Sequence, residues 1–342
     1  MSSSSCYDDS PTEASEDGHT EEIKKHNSDD DKTVVITQTK VIARRFESWH
    51  EKFLSYKEIL DYLVKLGELY QHKCIIERLG YSKEQRPICL VKICSNRHRR
   101  PQMSVLIEAG CNGMEKMTVS SVLFLIDYLV KNDFKFMVEY LIIPCLNPDG
   151  YEKCLKKKRL PKKDQADVDL TKCFPIRSET PSFMANMLDP SPDTPPNCSL
   201  LAKVVEQNRI NVKLFISLQA SESSITYPLD HYFKEVYDFA VACKKSMGWD
   251  SLDVKPIVPA LTQDKGTSVE HIIRNYNQTV KFAYLVNVHN KSFVPEEKFI
   301  LTKGEQTLCG IQTLTKRVYR YYYKQRSRYN VQTVVKLLDS TE

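Results

Sequence analysis

A single carboxylate lies where a buried strand is expected to be followed by a helix, in the stretch IEAGCNGMEKM at positions 107–117. Glu115 follows an apolar run that ends in glycine, and it precedes a second apolar run, SSVLFLIDYLV. Asn112 lies three residues before it. Two side chains three residues apart at a strand-to-helix turn can face the same way. The first partner here is an amide, so the other nearby residues decide the chemistry.

Apolar patterns along the chain predict the elements that position this pair. Buried strands are predicted at 102–109, 137–144, 214–219 and 279–288, and helices at 118–131, 200–208, 230–247 and 305–319. Ser55 is expected to cap an earlier helix, and strands at 75–79 and 87–94 flank the turn-like GYSKEQ. The span 151–196 reads as long surface loops. Strands alternating with helices predict a mostly parallel α/β sheet covered on both faces.

The carboxyl ends of the strands are where an open α/β sheet binds its ligands. Four strand ends are therefore candidate sites: 110–117, 147–151, 219–224 and 287–290. No internal repeat and no long linker divides the region between 46 and 320, so one domain is expected there.

Charge is distributed unevenly along the chain. Residues 1–40 contain ten acidic and four basic side chains, a net of −6; with +5 for the whole chain, the remainder carries +11. We predict a disordered, acidic, serine-rich head at 1–45, a single domain at 46–320 and a basic, tyrosine-rich tail at 321–342. The basic body could favour polyanions, and a solvated charged surface is the alternative.

Cysteine usage and the first residues bear on the compartment. The chain has 11 cysteines, an odd number, with no CxxC pair, and most of them lie in apolar runs, so a reducing compartment is expected. No run approaches the roughly 20 apolar residues that span a bilayer, and no secretory signal is expected. We predict a cytoplasmic protein without membrane contact; the basic run KCLKKKRLPKK at 153–163 leaves nuclear localisation as the alternative.

Several blocks at these strand ends resemble one enzyme family. They are GYSKEQRPICLVKI, LIIPCLNPDGYEKC, DVDLTKCF and LFISLQASESSITYP, together with the stretch around Glu115. In this order they resemble the zinc metallocarboxypeptidases, the M14 family, nearest its carboxypeptidase A/B-like branch. The resemblance covers roughly residues 50–320. It implies an α/β/α sandwich around a mixed, mainly parallel twisted sheet, one zinc ion and removal of C-terminal residues.

The zinc positions of the family carry the wrong residue types in this chain. The resemblance places Asn112 and Glu115 at the family's His-x-x-Glu, and Gln219 at its third ligand, a histidine. Zinc prefers imidazole, thiolate and carboxylate, so one carboxylate with two amides is not expected to hold it. We expect no cofactor. Glu115 is then expected to cap the following helix, with a surviving metal ligand as the alternative. Asn112 and Gln219 could bond each other or Glu115 in place of the metal.

The catalytic and substrate-binding positions have changed as well. The family's catalytic Glu aligns with Asn287, and an amide cannot take a proton from water near neutral pH. Asp169 stands where the family's carboxylate orients the first histidine. The resemblance assigns the family's substrate-carboxylate and carbonyl-polarising groups to four further positions, which here are Met114, Lys162, Thr171 and Lys172.

These losses predict a catalytically inactive carboxypeptidase-like protein. Its cleft is expected to bind a peptide or a protein partner, and nucleic acid is not the expected partner. An active zinc carboxypeptidase with an atypical site is one alternative. A basic scaffold or nucleic-acid-binding protein is another, which would use 153–163 and KRVYRYYYKQRSRY at 316–329. The latter segment also fits a C-terminal helix that packs its tyrosines on the sheet.

Overall fold

The computed structural model describes residues 51–95, 100–134, 136–156, 169–175, 194–220, 222, 224–228, 234–249, 253–257, 265–288 and 296–339. Residues 48–342 form one compact unit. The head predicted at 1–45 lies outside the described residues.

Ten strands and seven helices of eight or more residues make up the described fold. The strands are β1 (Cys74–Tyr81), β2 (Pro87–Cys94), β3 (Met103–Glu108), β4 (Val138–Ile143), β5 (Phe174–Pro175), β6 (Val212–Gln219), β7 (Ser224–Pro228), β8 (Asp253–Ile257), β9 (Lys265–Gly266) and β10 (Phe282–Asn287). The helices are α1 (Tyr56–Leu69), α2 (Lys116–Lys131), α3 (Pro148–Lys156), α4 (Pro196–Asn208), α5 (Lys234–Ser246), α6 (Ser268–Tyr276) and α7 (Ile300–Asp339).

Eight of the strands form one mixed sheet in the order β1-β2-β4-β3-β6-β10-β7-β8. The pairs β3–β4, β3–β6, β6–β10 and β7–β8 are parallel, whereas β1–β2, β2–β4 and β7–β10 are antiparallel. Every residue of β3 and β10 is buried, which is expected for central strands covered on both faces.

Helices cover both faces of this sheet. On one face, apolar side chains of α4 and α6 pack with those of β3, β4 and β6 in a core that includes Leu106, Leu141, Val205, Phe215 and Ile272. Helices α2 and α5 both pack against α7. The α/β/α sandwich with a mixed, mainly parallel sheet is therefore confirmed.

The first helix begins where the sequence predicts. Ser55 caps α1: its side chain accepts the backbone N–H of Glu58, and the Glu58 carboxylate accepts the backbone N–H of Ser55 in return. Ile59, Tyr62, Leu63 and Leu66 then face the core at helical spacing. The predicted strands and helices elsewhere are found within a few residues of their expected bounds.

The prediction of loops from residue 151 onwards is wrong for its first six residues. The turn signal NPDG is instead the start of α3: Asn147 Oδ1 accepts the Gly150 N–H (3.0 Å), and Pro148 occupies the first helical position. Proline is well suited to that position because it has no N–H to leave unpaired. Strands β7 and β8 were also not predicted, because they are short and β8 contains Pro256 at the sheet edge.

The last helix is longer than the sequence analysis predicts. It was expected over 305–319, and α7 runs from Ile300 to Asp339, so helical backbone continues through the predicted boundary at residue 320. Tyr321 and Tyr322 contact the ring of Phe282, the first residue of β10. Packing of these two tyrosines on the sheet agrees with the simpler interpretation of the segment. In the described part of the chain, no helix has the length and apolar character to cross a membrane.

Candidate functional site

The structure brings the predicted metal and base positions to neighbouring strand ends. Strands β3, β6 and β10 are parallel neighbours, so their carboxyl ends lie side by side. Asn112 and Glu115 follow β3, and Gln219 and Asn287 are the paired last residues of β6 and β10. Their relative exposures are 6%, 6%, 7% and 1%. All four residues therefore belong to a buried floor beneath this edge of the sheet.

Two close backbone approaches fix the loop that carries Asn112 and Glu115. Gly110 has a φ of +64°, a backbone conformation that residues with a Cβ atom rarely adopt. Gly113 contacts the backbone of Gly150 so closely that a Cβ atom would lie 2.2 Å from its carbonyl carbon. The backbone N–H of Asn147 donates to the Gly110 carbonyl at 2.9 Å. The loop after β3 is thus held directly against the start of α3.

Asn112 is directed at its own loop. Its Oδ1 accepts the backbone N–H of Met114 at 3.0 Å, and its backbone forms an isolated antiparallel bridge with Asp169. Asp169 Oδ1 in turn accepts both the N–H and the hydroxyl of Thr171, at 2.9 and 2.6 Å. Asn112, Asp169 and Thr171, three predicted site residues, therefore lie together. Asn112 Oδ1 and Thr171 Oγ1 both form hydrogen bonds within the protein.

Glu115 occupies the N-cap position of α2, but its side chain makes no capping hydrogen bond, so the expectation of a helix cap is wrong. The carboxylate instead accepts the backbone N–H of Ala220, the residue after Gln219. Its Oε2 is buried without a hydrogen-bond partner among the described residues. Nor do the hydrogen bonds of the described residues join Glu115 to the amides of Asn112 or Gln219. Burial raises the pKa of Glu115 to about 8, opposed by the Ala220 N–H.

Glu108 is a second buried carboxyl group that the sequence analysis missed. It is the last residue of β3, is 1% exposed, and accepts a short hydrogen bond from the Ser268 hydroxyl on α6. Burial raises its pKa, and the hydrogen bond from Ser268 together with the nearby Ser217 hydroxyl opposes the rise. A lone acid at the end of the apolar run MSVLIE was the available signal. Glu108 and Asp169 also raise the pKa of Glu115, so three carboxyl groups lie close together here.

Asn287 ties β10 to the connection between β6 and β7. Its Oδ1 accepts the backbone N–H of Glu222 at 3.1 Å, and its Nδ2 donates to the Ser224 carbonyl at 2.9 Å. The side-chain amide supplies both an acceptor and a donor from one planar group, which an ionised carboxylate cannot do. The residue at the family's base position therefore acts here as a structural cross-link.

Replacing Asn287 by aspartate is expected to lower the free energy of unfolding by about 1–3 kcal/mol at pH 7. The change puts a carboxylate oxygen against the Ser224 carbonyl, where the native Nδ2 donates. Asn132→Asp is the matched control, because Asn132 Nδ2 also donates to a carbonyl, that of Tyr128, but in an exposed bond. Urea unfolding measures both variants. Equal losses would show that the buried cross-link has no special role.

The rim of the site carries charge that is exposed to solvent. Lys172 is exposed, and Glu222 pairs with Lys255 at 2.9 Å. The pKa of Glu222 is lowered, chiefly by the hydrogen bond from Lys255 and in smaller part by the charge of Lys172. These three side chains thus form a charged cluster next to the buried floor. Lys162, the other predicted cation, lies outside the described residues.

Metal-ligand chemistry is sparse in the described ranges. No group of three or more His, Cys, Asp or Glu side chains there is arranged to hold a metal ion. Of the two carboxyl groups near Glu115, Asp169 accepts the hydroxyl of Thr171 and Glu108 accepts the hydroxyl of Ser268. At the three positions that the resemblance assigns to the metal ligands, the donor set is two amides, Asn112 and Gln219, and one buried carboxyl group, Glu115.

Comparison with solved structures supports the fold. The carboxypeptidase A of Helicoverpa armigera superposes with a TM-score of 0.65 at 19% identity, covering 85% of this chain and 81% of that chain. Bovine thrombin-activatable fibrinolysis inhibitor, in complex with tick carboxypeptidase inhibitor, gives 0.64 at 19% identity, covering 80% of this chain and all of that one. At 19% identity, these superpositions show that the chain shares the fold of these proteins and no more.

Comparison of sequences gives the family. Carboxypeptidase B2 of Rattus norvegicus is 22% identical over 215 residues, covering 56% of this chain and 50% of that protein. Carboxypeptidase A4 of Mus musculus is 21% identical over 280 residues, covering 72% and 65%. The chain spans about half the length of the carboxypeptidase B2 proteins it matches. The model of the zinc carboxypeptidase family matches residues 59–310, most of the chain. The chain therefore belongs to the M14 family of zinc carboxypeptidases.

Proposed function

We propose that this M14-family chain does not hydrolyse peptides by the zinc mechanism of its family and instead binds a peptide or protein partner. The observation that carries the proposal is the state of Asn287. Its side-chain amide stands at the base position and is engaged on both sides, by the Glu222 N–H and the Ser224 carbonyl. An amide has no basic lone pair that could accept a proton from water near neutral pH.

The residues at the metal positions do not fit zinc. Structural and catalytic zinc sites use at least three nitrogen, sulfur or carboxylate ligands from the protein. Asn112 and Gln219 offer amides, and the Asn112 oxygen is already bonded to the Met114 N–H. Glu115 alone offers a carboxyl group, and because burial raises its pKa, a metal ion would have to displace a proton from it to bind. The residues at these positions therefore support no catalytic step through a metal ion.

The rim of the carboxyl edge is the proposed contact surface. The floor residues are buried, so a partner would meet the exposed Lys172 and the Glu222–Lys255 pair. Glu222 already presents a carboxylate to these two cations, and an incoming C-terminal carboxylate would compete with it. The proposed partner is therefore one whose own charged groups can rearrange this cluster, such as a peptide segment that ends in a carboxylate.

One observation favours the alternative, an active enzyme with an atypical site. Glu115 Oε2 is buried without a hydrogen-bond partner among the described residues, and it could coordinate a cation. The alternative needs further ligands that the described strand ends do not offer. It also needs a base other than Asn287.

Release of C-terminal residues from peptides in the presence of added zinc separates the two functions. The proposal predicts no release above background for the native chain. The matched control is the Asn112→His, Gln219→His, Asn287→Glu triple variant, in which the ligands and the base are restored. Release by the native chain that is abolished by a chelator would overturn the proposal.

The binding role predicts that the chain binds a peptide with a free C-terminal carboxylate more tightly than the same peptide with a C-terminal amide. Glu222→Gln should strengthen binding of the carboxylate peptide.

A further inference from the structure

Most of the length of α7 has an unusual charge composition. Between residues 306 and 338 the sequence contains seven lysines and arginines and no aspartate or glutamate. Exposed helices usually interleave both signs, because opposite charges three or four residues apart stabilise each other. This stretch instead concentrates one sign along a single element. Repulsion within the helix is then unrelieved unless an anionic partner neutralises it.

Cations and aromatic rings alternate along one stripe of α7. Lys316, Tyr319, Arg320 and Tyr323 have the spacing i, i+3, i+4, i+7, which places them on one side of the helix. Lys316, Arg320 and Tyr323 are exposed, and Tyr323 is 56% exposed. The rings of Tyr319 and Tyr323 are nearly parallel, at 9°, with centroids 6.2 Å apart. The stripe contains no aliphatic side chain.

Contacts with the sheet hold this stripe in place. The Tyr319 hydroxyl donates to Gln102 Oε1 at 2.9 Å, and its ring packs on Phe136 with centroids 4.8 Å apart. Tyr321 and Tyr322, farther along the helix, pack on Phe282. Because its neighbours are fixed, the stripe loses little conformational freedom when a ligand binds.

A groove runs beside the stripe. It is lined by Gln102, Met103, Lys213, Tyr319, Tyr322 and Tyr323. The Lys213 ammonium lies 5.7 Å from the centre of the Tyr322 ring and adds a third cation. Met103 and Phe282 begin their strands, so this groove lies at the amino ends of the sheet. It is therefore separate from the floor formed by Glu115 and Asn287 at the carboxyl ends.

We propose that this stripe and groove form a second binding site, for single-stranded nucleic acid. Lys316, Arg320 and Lys213 would contact backbone phosphates, and the exposed face of Tyr323 would stack on a base. Cations interleaved with a stacked aromatic platform are the features by which proteins hold single strands without sequence preference. An anionic membrane surface fits less well, because helices that bind membranes place aliphatic or large apolar side chains along the buried stripe.

Fluorescence anisotropy with a labelled oligouridylate of about 15 nucleotides tests the proposal on the full chain. The native chain is expected to bind with an affinity that falls steeply with salt. Lys316→Gln with Arg320→Gln should weaken binding about tenfold and reduce the slope of log K against log salt by about 1.4, since each phosphate contact on a single strand contributes about 0.7. Tyr323→Leu should also weaken binding about tenfold, and Tyr323→Phe should preserve it.

Matched variants elsewhere on the surface serve as controls. Lys57→Gln with Lys234→Gln removes two exposed lysines from α1 and α5, and Tyr237→Leu removes an exposed tyrosine from α5. These should leave binding unchanged. The proposal fails if the oligonucleotide does not bind at low salt, or if control and stripe variants weaken binding equally. It also fails if vesicles containing phosphatidylserine bind the chain and the oligonucleotide does not.

Discussion

Glu115→Gln is expected to make the protein more stable than the native chain at pH 8–9 and to remove a pH dependence of unfolding. The pKa of Glu115 is about 8 in the folded protein and near its ordinary value of 4.5 in the unfolded chain. Between these values the folded state holds a proton that the unfolded state has released. The contribution of Glu115 to the free energy of unfolding is therefore fully present below about pH 4.5. It falls by about 1.4 kcal/mol per pH unit as the pH rises towards 8.

Glutamine keeps an oxygen for the Ala220 N–H and cannot ionise, so the variant should lack this slope. Denaturant unfolding at several pH values between 4.5 and 9 measures it. Glu58→Gln provides a control of opposite sign, because hydrogen bonds from Lys52 and Ser55 lower the Glu58 pKa to about 2. The ionised Glu58 side chain therefore stabilises the folded protein above pH 4.5, and this stabilisation is lost as the pH falls towards 2. Glu58→Gln should accordingly destabilise the protein at neutral pH. Burial also raises the pKa of Glu108, which contributes a slope of the same sign that should remain in the variant. A slope in Glu115→Gln as steep as that of the native chain would contradict the account.

Gly113→Ala is expected to destabilise the protein by more than about 3 kcal/mol, or to prevent folding. A Cβ at this position would lie 2.2 and 2.4 Å from the carbonyl carbon and oxygen of Gly150 and 2.6 Å from the Tyr151 nitrogen. All three are backbone atoms at the start of α3, which cannot move aside as a flexible side chain can. The loop after β3 and the helix after β4 would have to separate.

Gly248→Ala is the matched control for this effect. Gly248 has φ +67, but nothing lies within 4 Å of its added Cβ. Gly248→Ala should therefore lower the free energy of unfolding through backbone strain alone, by about 1–2 kcal/mol. Thermal or urea unfolding of both variants gives the comparison. If Gly113→Ala costs no more than Gly248→Ala, the loop carrying Asn112 and Glu115 is not held against α3 as described.

Local and periodic signals predicted a mostly parallel α/β sheet covered by helices, and the resemblance to the M14 family implied the α/β/α sandwich with its mixed sheet. Ser55 with Glu58 marks a helix start, and the apolar runs of β3, β6 and β10 mark central strands. The same reasoning failed at NPDG, because a proline and a glycine after an asparagine signal a turn and a capped helix start equally well. It also ended α7 too early, since the loss of apolar periodicity after residue 319 removes the packing signal but does not by itself end a helix.

The site could be predicted in position but not in bonding. Strand order places Asn112, Glu115, Gln219 and Asn287 together, and the resemblance identified all four. Which partner each side chain chooses depends on distances of a few tenths of an ångström that no spacing encodes. Thus Glu115 bonds the Ala220 N–H and does not cap α2. The cross-link made by Asn287 and the buried carboxyl group of Glu108 emerge only from the packed structure.

Zinc affinity of the chain, purified without chelators, tests the central claim most directly. Metal analysis of the purified protein, followed by zinc titration calorimetry, should show no tightly held zinc in the native chain. The Asn112→His, Gln219→His double variant leaves the Asn287 cross-link intact and restores two imidazoles beside Glu115, so it should gain zinc affinity. Asn132→His with Asn208→His adds two histidines elsewhere and should not. About one zinc tightly bound per native chain, lost in Glu115→Gln, would contradict the account.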